Sequence, residues 1–178
     1  MPAPTPNSFL DRVDDTDQPV GQVRRRDVFR LGAGFRVVHL LVQDDRGDLL
    51  LQQVGASRER SPLRWGSSAA GYVHAGETYL DAARRRLDEE LGLRTPLTKL
   101  GAVRMPDDGA TKFIELYGTS VGSAGPAVVN EPGHIERIEP WTPADVERAL
   151  ADEPERFTET FPYVFGIFLV ASGRPGPG

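Results

Sequence analysis

Residues 71–93 have the sequence Gly71-Tyr-Val-His-Ala-Gly-Glu-Thr-Tyr-Leu-Asp-Ala-Ala-Arg-Arg-Arg-Leu-Asp-Glu-Glu-Leu-Gly-Leu93. This stretch joins a glycine-containing loop to a segment rich in helix-forming residues. Thr78 suits an N-cap, and apolar residues then recur at steps of three and four positions. These are Leu80, Ala83, Leu87 and Leu91. The pattern predicts an amphipathic helix over Tyr79–Leu91, which Gly92 ends.

The last turn of this helix carries two adjacent carboxylates, Glu89 and Glu90. Neighbouring residues lie about 100° apart around a helix axis, so both side chains project at the same end of a rigid element. Arg85 and Arg86 precede them by one turn, at i−4. Two carboxylates held in this way suit a hard, oxygen-liganded cation such as Mg²⁺. Spacing alone equally fits a solvated face with two Arg/Glu pairs.

The whole stretch resembles the Nudix box, the signature of the Nudix diphosphate hydrolases. Eight of the nine positions that the box specifies match at the required spacing, and the ninth has Arg86 where the box has glutamate. The matching residues are Gly71, Glu77, Arg85, Leu87, Glu89, Glu90, Gly92 and Leu93. The resemblance implies an α/β fold, a Nudix-type α/β/α sandwich with a mixed β-sheet. It also implies a Mg²⁺-dependent (or Mn²⁺-dependent) hydrolase.

The resemblance assigns roles residue by residue. Glu89 and Glu90 would act in catalysis as metal ligands, and the backbone carbonyl of Gly71 would complete the metal site. Glu77 would pair with Arg85 as a structural brace between loop and helix. With Arg86 in the place of the box glutamate, the base that activates water must come from elsewhere. The candidates are Glu115, which interrupts an apolar strand, and a carboxylate of the loop Glu131–Glu139.

Residues 47–93 further resemble the branch of the family that contains isopentenyl diphosphate isomerase and its hydrolase relatives. The resemblance includes Arg58 before Pro62 and Trp65 six residues before Gly71. The isomerase reaction needs a cysteine just before the box glycine, where this chain has Ala70. The isomerase also uses three histidine ligands, and the residues of this chain that align with them are Val28, Phe35 and Tyr72. A hydrolase relative is therefore expected rather than a true isomerase.

Arginines supply the candidate substrate-binding groups. Arg58, Arg60 and Arg64 lie on one polar loop that leads directly to the box, and guanidinium groups bind phosphate oxygens in bidentate fashion. The cluster Arg24–Arg26 is a second candidate, and Arg26 is taken from it as a substrate-binding residue. His39, inside an apolar strand, is expected to be a core residue.

The predicted substrate is a small nucleoside diphosphate-type or isoprenoid-like diphosphate. The main alternative is a non-catalytic Nudix-fold module that binds a phosphorylated ligand or a protein partner. Isopentenyl diphosphate isomerase activity is a third reading. Arg86 supports the non-catalytic binding module, because a guanidinium at i−4 from Glu90 neutralises that carboxylate and weakens metal binding.

The rest of the chain predicts strands and two further helices. Hairpins are expected over residues 9–25 and 35–54, and a third pair of strands over residues 97–121. A strand over residues 134–141 precedes a helix that Thr142 caps, and residues 161–171 form a closing helix with a face that could support a homodimer. We expect a single Nudix domain over residues 9–171, with disordered tails at 1–8 and 172–178.

Composition excludes several classes of function. The 178 residues contain no cysteine, which excludes disulfides and thiolate metal sites. A formal net charge of −5 offers no general attraction to a nucleic acid polymer or an anionic membrane. With no long apolar run and no leader pattern, the expected location is cytoplasmic and the expected partner is a small diphosphate.

Overall fold

The computed structural model describes residues 8–122 and 129–174. The sequence also predicts a Gly/Pro-rich loop over residues 122–133. Residues 123–128 of this loop, and most of the two predicted tails, lie outside the described ranges. At the described edges, the carbonyl of Ser8 accepts a hydrogen bond from the amide of Arg25, and the amide of Arg174 donates to the carbonyl of Leu169. Backbone hydrogen bonds therefore extend slightly beyond the predicted bounds of the folded region.

Nine strands and three α-helices are present in the described residues. The strands are β1 Phe9–Val13, β2 Pro19–Arg24, β3 Gly34–Gln43, β4 Leu49–Val54, β5 Trp65–Gly66, β6 Ala69–Tyr72, β7 Thr98–Asp107, β8 Ala110–Ser120 and β9 Ile135–Trp141. The helices are α1 Tyr79–Leu91, α2 Pro143–Asp152 and α3 Phe161–Ala171. The predicted bounds of α1 and α3 are confirmed.

Strand β3 is the centre of the mixed sheet. It pairs in parallel with β8 along its whole length and antiparallel with β6 through residues Val37–Leu40. Strand β4 instead pairs with β9 and β5. The predicted hairpin of β3 and β4 is wrong beyond its turn, because the two strands pair only at Gln43 and Leu49 and then diverge to different neighbours.

The near-continuous apolar sequence of β3 follows from burial on both faces. Phe35 and Leu41 contribute to the core under α3, whereas Val38 and Leu40 contribute to the core under α1. Helices therefore cover both faces of the sheet, as the α/β/α prediction requires. None of the described helices is long and apolar enough to cross a membrane.

Local signals fix helix α1 relative to the sheet. The side chain of Thr78 accepts a hydrogen bond from the amide of Asp81, and Gly92 ends the helix with a left-handed φ of 63°. Leu87 and Leu91 are each 1% exposed and pack into the core below. The C-terminal half of α1 is thus held rigidly over the point where β3 and β4 separate.

Replacing Thr78 by Ala should lower the free energy of unfolding by about 1 kcal/mol, because the Asp81 amide loses its only side-chain acceptor at the cap. Urea denaturation measures the change. Thr78→Ser keeps the hydroxyl oxygen and should remain close to wild type. Equal denaturation midpoints for Thr78→Ala and Thr78→Ser would show that the cap contributes nothing.

Candidate functional site

A cavity of about 660 Å³ opens where the two groups of strands diverge. The end of helix α1, strand β6 and the loop between β4 and β5 form one part of its lining. Strands β7 and β8 and the residues before α3 form another. The cavity therefore lies beside the box stretch and reaches toward the core under α3.

The guanidinium of Arg86 occupies the centre of the box stretch. Its Nη1 donates to Glu89 at 2.8 Å, its Nη2 donates to Glu90, and both lie 3.4 Å from the carboxylate of Glu131. Its Nε donates to the carbonyl of Ala70 at 3.0 Å. Burial opposes the charge on Arg86, but attraction by Glu90, Glu131 and Glu89 outweighs burial and raises its pKa.

Gly71 provides the space for this side chain. A Cβ at position 71 would lie 2.5 Å from Nε and 2.6 Å from Cδ of Arg86. No real Cβ sits so close to other heavy atoms, so any other residue would displace the guanidinium. Gly71, which matches the box, therefore leaves the space that is filled by Arg86, which departs from the box.

Glu90 is the most enclosed carboxylate of the site, at 4% exposure. Its Oε2 accepts hydrogen bonds from the side chain of Gln52 at 3.1 Å and from the amide of Ala70 at 3.2 Å. Burial raises the pKa of Glu90 to about 7, although Arg86 and the donated hydrogen bonds favour its charged form. Glu90 therefore ties α1 to both β4 and β6.

Glu77 and Arg85 form the ion pair that the resemblance implied, and its geometry is bidentate. Nε and Nη2 of Arg85 donate to the two oxygens of Glu77 at 2.7 and 2.9 Å. Nη2 of Arg85 also donates to the carbonyl of Tyr72, and its Nη1 lies 3.3 Å from Glu89. Burial raises the pKa of Glu77, but the hydrogen bonds from Arg85 and from the amide of His74 outweigh burial and leave that pKa lowered.

The three arginines predicted on the β4–β5 loop all line the cavity. Arg58 lies 3.4 Å from Nδ1 of His134, and Arg60 donates to Asp107 at 2.6 Å. Among the residues that the structure describes, no carboxylate pairs with Arg64. The loop thus places at least one uncommitted guanidinium opposite the carboxylates of α1.

Arg26 is not at this site, contrary to the prediction. It is exposed on a 3-10 turn, and its neighbour Arg25 lines the cavity instead, with its guanidinium 4.5 Å from the centre of the Tyr72 ring. Arg24 stacks on Phe9. The turn directs consecutive side chains in different directions, which a run of three identical residues does not reveal.

Glu115 also lies outside the cavity, so its predicted role as a base is a second correction. Its carboxylate accepts hydrogen bonds from Lys99 at 2.6 Å and from the hydroxyl of Tyr117 at 2.6 Å. In the sheet it lies beside Val38, which packs under α1. Glu115 shares its face of β8 with Tyr117, which packs into the core under α1, whereas Lys112 on the opposite face lines the cavity. Glu131, from the alternative loop, does reach the site.

Several cavity residues were not predicted. His39 is not simply a core residue: it lines the cavity, and its Nδ1 lies 2.8 Å from the hydroxyl of Ser67. Burial, and to a smaller extent Lys112, lower the pKa of His39 to about 3, so it is neutral at pH 7. Other polar cavity residues that were missed include Gln52, Asp107, Lys112, His134 and Thr160. Lys112 had a signal in the sequence, because it shares the inward face of β8 with Ile114 and Leu116.

The carboxylate oxygens at the end of α1 are the type of ligand that a hard cation prefers, but there are too few of them to hold one. Within residues 8–122 and 129–174, no three His, Asp or Glu side chains are grouped so that they alone could hold a metal ion. The carboxylates of Glu89, Glu90 and Glu131 all point toward Arg86. Further oxygen ligands from outside the protein would be needed to complete a site for Mg²⁺.

Comparisons with known proteins agree on one family. An isopentenyl-diphosphate Delta-isomerase of Nocardia farcinica is 32% identical over 84% of this chain and 87% of its own length. A second isomerase, from Photorhabdus laumondii, is 37% identical, but the match spans only 54% of each protein. An uncharacterized Nudix hydrolase of Streptomyces coelicolor is 34% identical over 70% of this chain and 71% of its own.

Solved structures with a similar fold were also found. The crystal structure of DR0079 from Deinococcus radiodurans superposes with a TM-score of 0.71 at 25% identity, covering 85% of this chain and 93% of that one. The sequence model of the NUDIX domain matches residues 34–161, which include the central strand, the whole box and all of the described cavity lining except Arg25. The chain belongs to the Nudix family.

Proposed function

We propose that this protein hydrolyses a small organic diphosphate bound in the cavity, with a divalent cation, Mg²⁺ or Mn²⁺, that enters together with the substrate. The observation that carries the proposal is the separation of charge within one cavity. Glu90 and Glu131 line the cavity beside α1, Glu89 lies next to them on Arg86, and Arg58, Arg60 and Arg64 line the same cavity from the β4–β5 loop. A metal–diphosphate complex carries the complementary arrangement of charge.

The carboxylate side has a residual negative charge. When Glu90 is ionised, as its contact with Arg86 favours, Glu77, Glu89, Glu90 and Glu131 contribute −4, and Arg85 and Arg86 contribute +2, which leaves −2. A divalent cation would balance this charge, with Glu89, Glu90 and the backbone carbonyl of Gly71 as the protein's oxygen donors and with phosphate and water oxygens as the others. When bound, such a cation neutralises charge on the diphosphate and polarises phosphorus toward attack by water.

The protein's own groups would bind and orient the diphosphate. Arg58 and Arg64 have guanidinium forks that match two phosphate oxygens each. Glu131 is the carboxylate placed to accept a proton from the attacking water, since it lies at the cavity and only 14% of its side chain is exposed. The oxygen of that water would bond to phosphorus, the bridging P–O bond would break, and the departing phosphate would retain its electron pair.

A second candidate function is a binding module without hydrolysis. The specific observation that favours it is the contact of Arg86 with Glu89 and Glu90, which supplies an internal cation to the carboxylates. Such a module would keep the arginine loop and bind a phosphorylated ligand. The assay of phosphate release below separates the two functions.

Phosphate release should depend on Glu90. We expect Glu90→Gln to lower kcat/KM by about 100-fold or more, because the substitution removes negative charge where the cation and diphosphate are stabilised. The assay measures phosphate released from nucleoside diphosphates, nucleoside diphosphate sugars and isoprenoid diphosphates with Mg²⁺. Glu147→Gln, the same change at an exposed position of α2, is the matched control.

Thermal unfolding checks that Glu90→Gln is folded, because Glu90 also holds Arg86 by a buried ion pair. If the variant unfolds, Glu131→Gln replaces it in the same assay. Wild-type activity in either folded variant would remove that carboxylate from the mechanism. A wild-type protein that binds these compounds but releases no phosphate would favour the binding module.

Cation and diphosphate should bind cooperatively. Calorimetric titration of Mn²⁺ is expected to show weak binding to the protein alone and at least about tenfold tighter binding with methylenediphosphonate, a diphosphate that cannot be hydrolysed. The reason is that the described carboxylates supply too few ligands until phosphate oxygens join them. Tight Mn²⁺ binding that methylenediphosphonate leaves unchanged would contradict this expectation.

Arg86→Glu tests the internal cation directly. Without metal, the variant should be less stable by about 3–5 kcal/mol, because it breaks a buried ion pair and adds a carboxylate to three others. Mn²⁺ should then raise its melting temperature far more than it raises that of wild type. Arg84→Glu, at an exposed position of the same helix, is the control. Equal responses to Mn²⁺ in the two variants would show that Arg86 does not occupy a cation position.

A further inference from the structure

Lys112 is a buried cation that the proposed hydrolysis does not use. It lies on β8, on the face that also carries the buried Ile114 and Leu116, and it is 9% exposed. A charged ammonium in such a place is costly unless it is paired or has a ligand. Lys112 nevertheless lines the cavity, under the core helix α3 rather than beside α1. Its presence therefore calls for a reason other than packing.

The partners of Lys112 leave an excess of positive charge. Its Nζ lies 3.0 Å from Asp107, and the other oxygen of Asp107 accepts a hydrogen bond from Arg60 at 2.6 Å. Burial raises the pKa of Asp107, but these two cations outweigh burial and lower it, so the carboxylate is ionised. One carboxylate shared by two cations leaves a net charge of +1 on this part of the cavity.

Thr160 adds a second donor at the same place. It occupies the N-cap position of α3, yet its side chain makes no capping hydrogen bond. Its hydroxyl oxygen instead accepts a hydrogen bond from Nζ of Lys112 at 2.8 Å. The hydroxyl proton then remains available, and so does the third proton of Lys112, because no described residue accepts either one.

These two donors are directed at a polar region of the cavity. Both residues line it, together with neutral His39 and with Thr158. Glu159, also in the lining, is exposed at the rim and has its own access to water. A hydrocarbon chain placed here would leave the donors of Lys112 and Thr160 without partners, which is unfavourable in a buried site.

We propose that Lys112 and Thr160 form a specificity subsite that binds an oxygen acceptor on the organic part of the substrate, away from its diphosphate. The substrate class is then a diphosphate with a polar organic group, such as a nucleoside, and isoprenoid diphosphates are poor ligands. This inference rests on the proposed binding of a diphosphate in the same cavity.

A purely structural role for Lys112 makes a different prediction. If Lys112 served only to neutralise Asp107, its loss would affect all diphosphates alike, through stability or through the shape of the cavity. The same holds if Lys112 bound the diphosphate itself. Only a subsite for the organic group makes the effect depend on that group.

The test compares ligands that share a terminal diphosphate and differ in the organic group. Adenosine diphosphate and uridine diphosphate carry oxygen acceptors, and dimethylallyl diphosphate carries a hydrocarbon. Calorimetry gives their dissociation constants for wild type, Lys112→Met and Thr160→Val with Mg²⁺ present, and turnover gives kcat/KM where hydrolysis occurs. Lys99→Met and Thr98→Val make the same changes outside the cavity and are the matched controls.

Wild type should bind at least one of the nucleoside diphosphates at least about tenfold more tightly than dimethylallyl diphosphate. Lys112→Met should weaken binding of that nucleoside diphosphate by about 10- to 100-fold, the usual value of a hydrogen bond to a charged group. Its effect on dimethylallyl diphosphate should stay within about threefold. Thr160→Val should shift the same ratio in the same direction by a smaller factor, with thermal unfolding measured to show that the variant is folded.

The inference is overturned if wild type does not distinguish the ligands, or if Lys112→Met weakens all of them equally. It is also overturned if both variants leave the ratio unchanged. Should Lys112→Met fail to fold, Thr160→Val alone decides, since it removes one hydroxyl and no charge. If wild type binds neither these compounds nor methylenediphosphonate, the proposed function itself fails, a result that differs from binding without selectivity.

Discussion

The buried contact between Arg86 and its carboxylates is the interaction on which the rest of the site depends. One guanidinium joins three separate parts of the chain: helix α1 through Glu89 and Glu90, strand β6 through the carbonyl of Ala70, and the loop before β9 through Glu131. An ion pair this buried is strongly destabilising to break, because the remaining charge has no solvent to compensate it. The wall of the cavity is therefore rigid where the carboxylates meet it.

The sequence predicted the parts of this arrangement that are local. Helix α1 was predictable because Thr78 and Gly92 mark its ends and because apolar residues repeat with the helical period. The contact of Glu77 with Arg85 and the nearness of the β4–β5 arginines to the box followed from a resemblance that spans the same residues. In each case, the information lies within a continuous segment.

What the sequence did not predict depends on which strands become neighbours. β3 and β4 look like a hairpin, but the chain places β8 and β6 beside β3 and places β9 beside β4. The cavity exists because of that divergence, so the face of β8 that reaches it could not be read from β8 alone. Glu115 was predicted to be the base because it interrupts an apolar pattern. Lys112 interrupts the same pattern, but on the face of β8 that lines the cavity.

Three neighbouring residues fit the arginine that stands at position 86 in place of the glutamate of the Nudix box. Gly71 leaves room for its stem, Ala70 accepts from its Nε, and Gln52 occupies the oxygen of Glu90 that the guanidinium does not contact. Both carboxylate oxygens of Glu90 already accept hydrogen bonds, so Glu90 alone would bind a cation weakly. If the proposed function is right, the oxygens of a bound diphosphate would supply ligands that Glu90 does not, so substrate would raise the affinity of the site for metal.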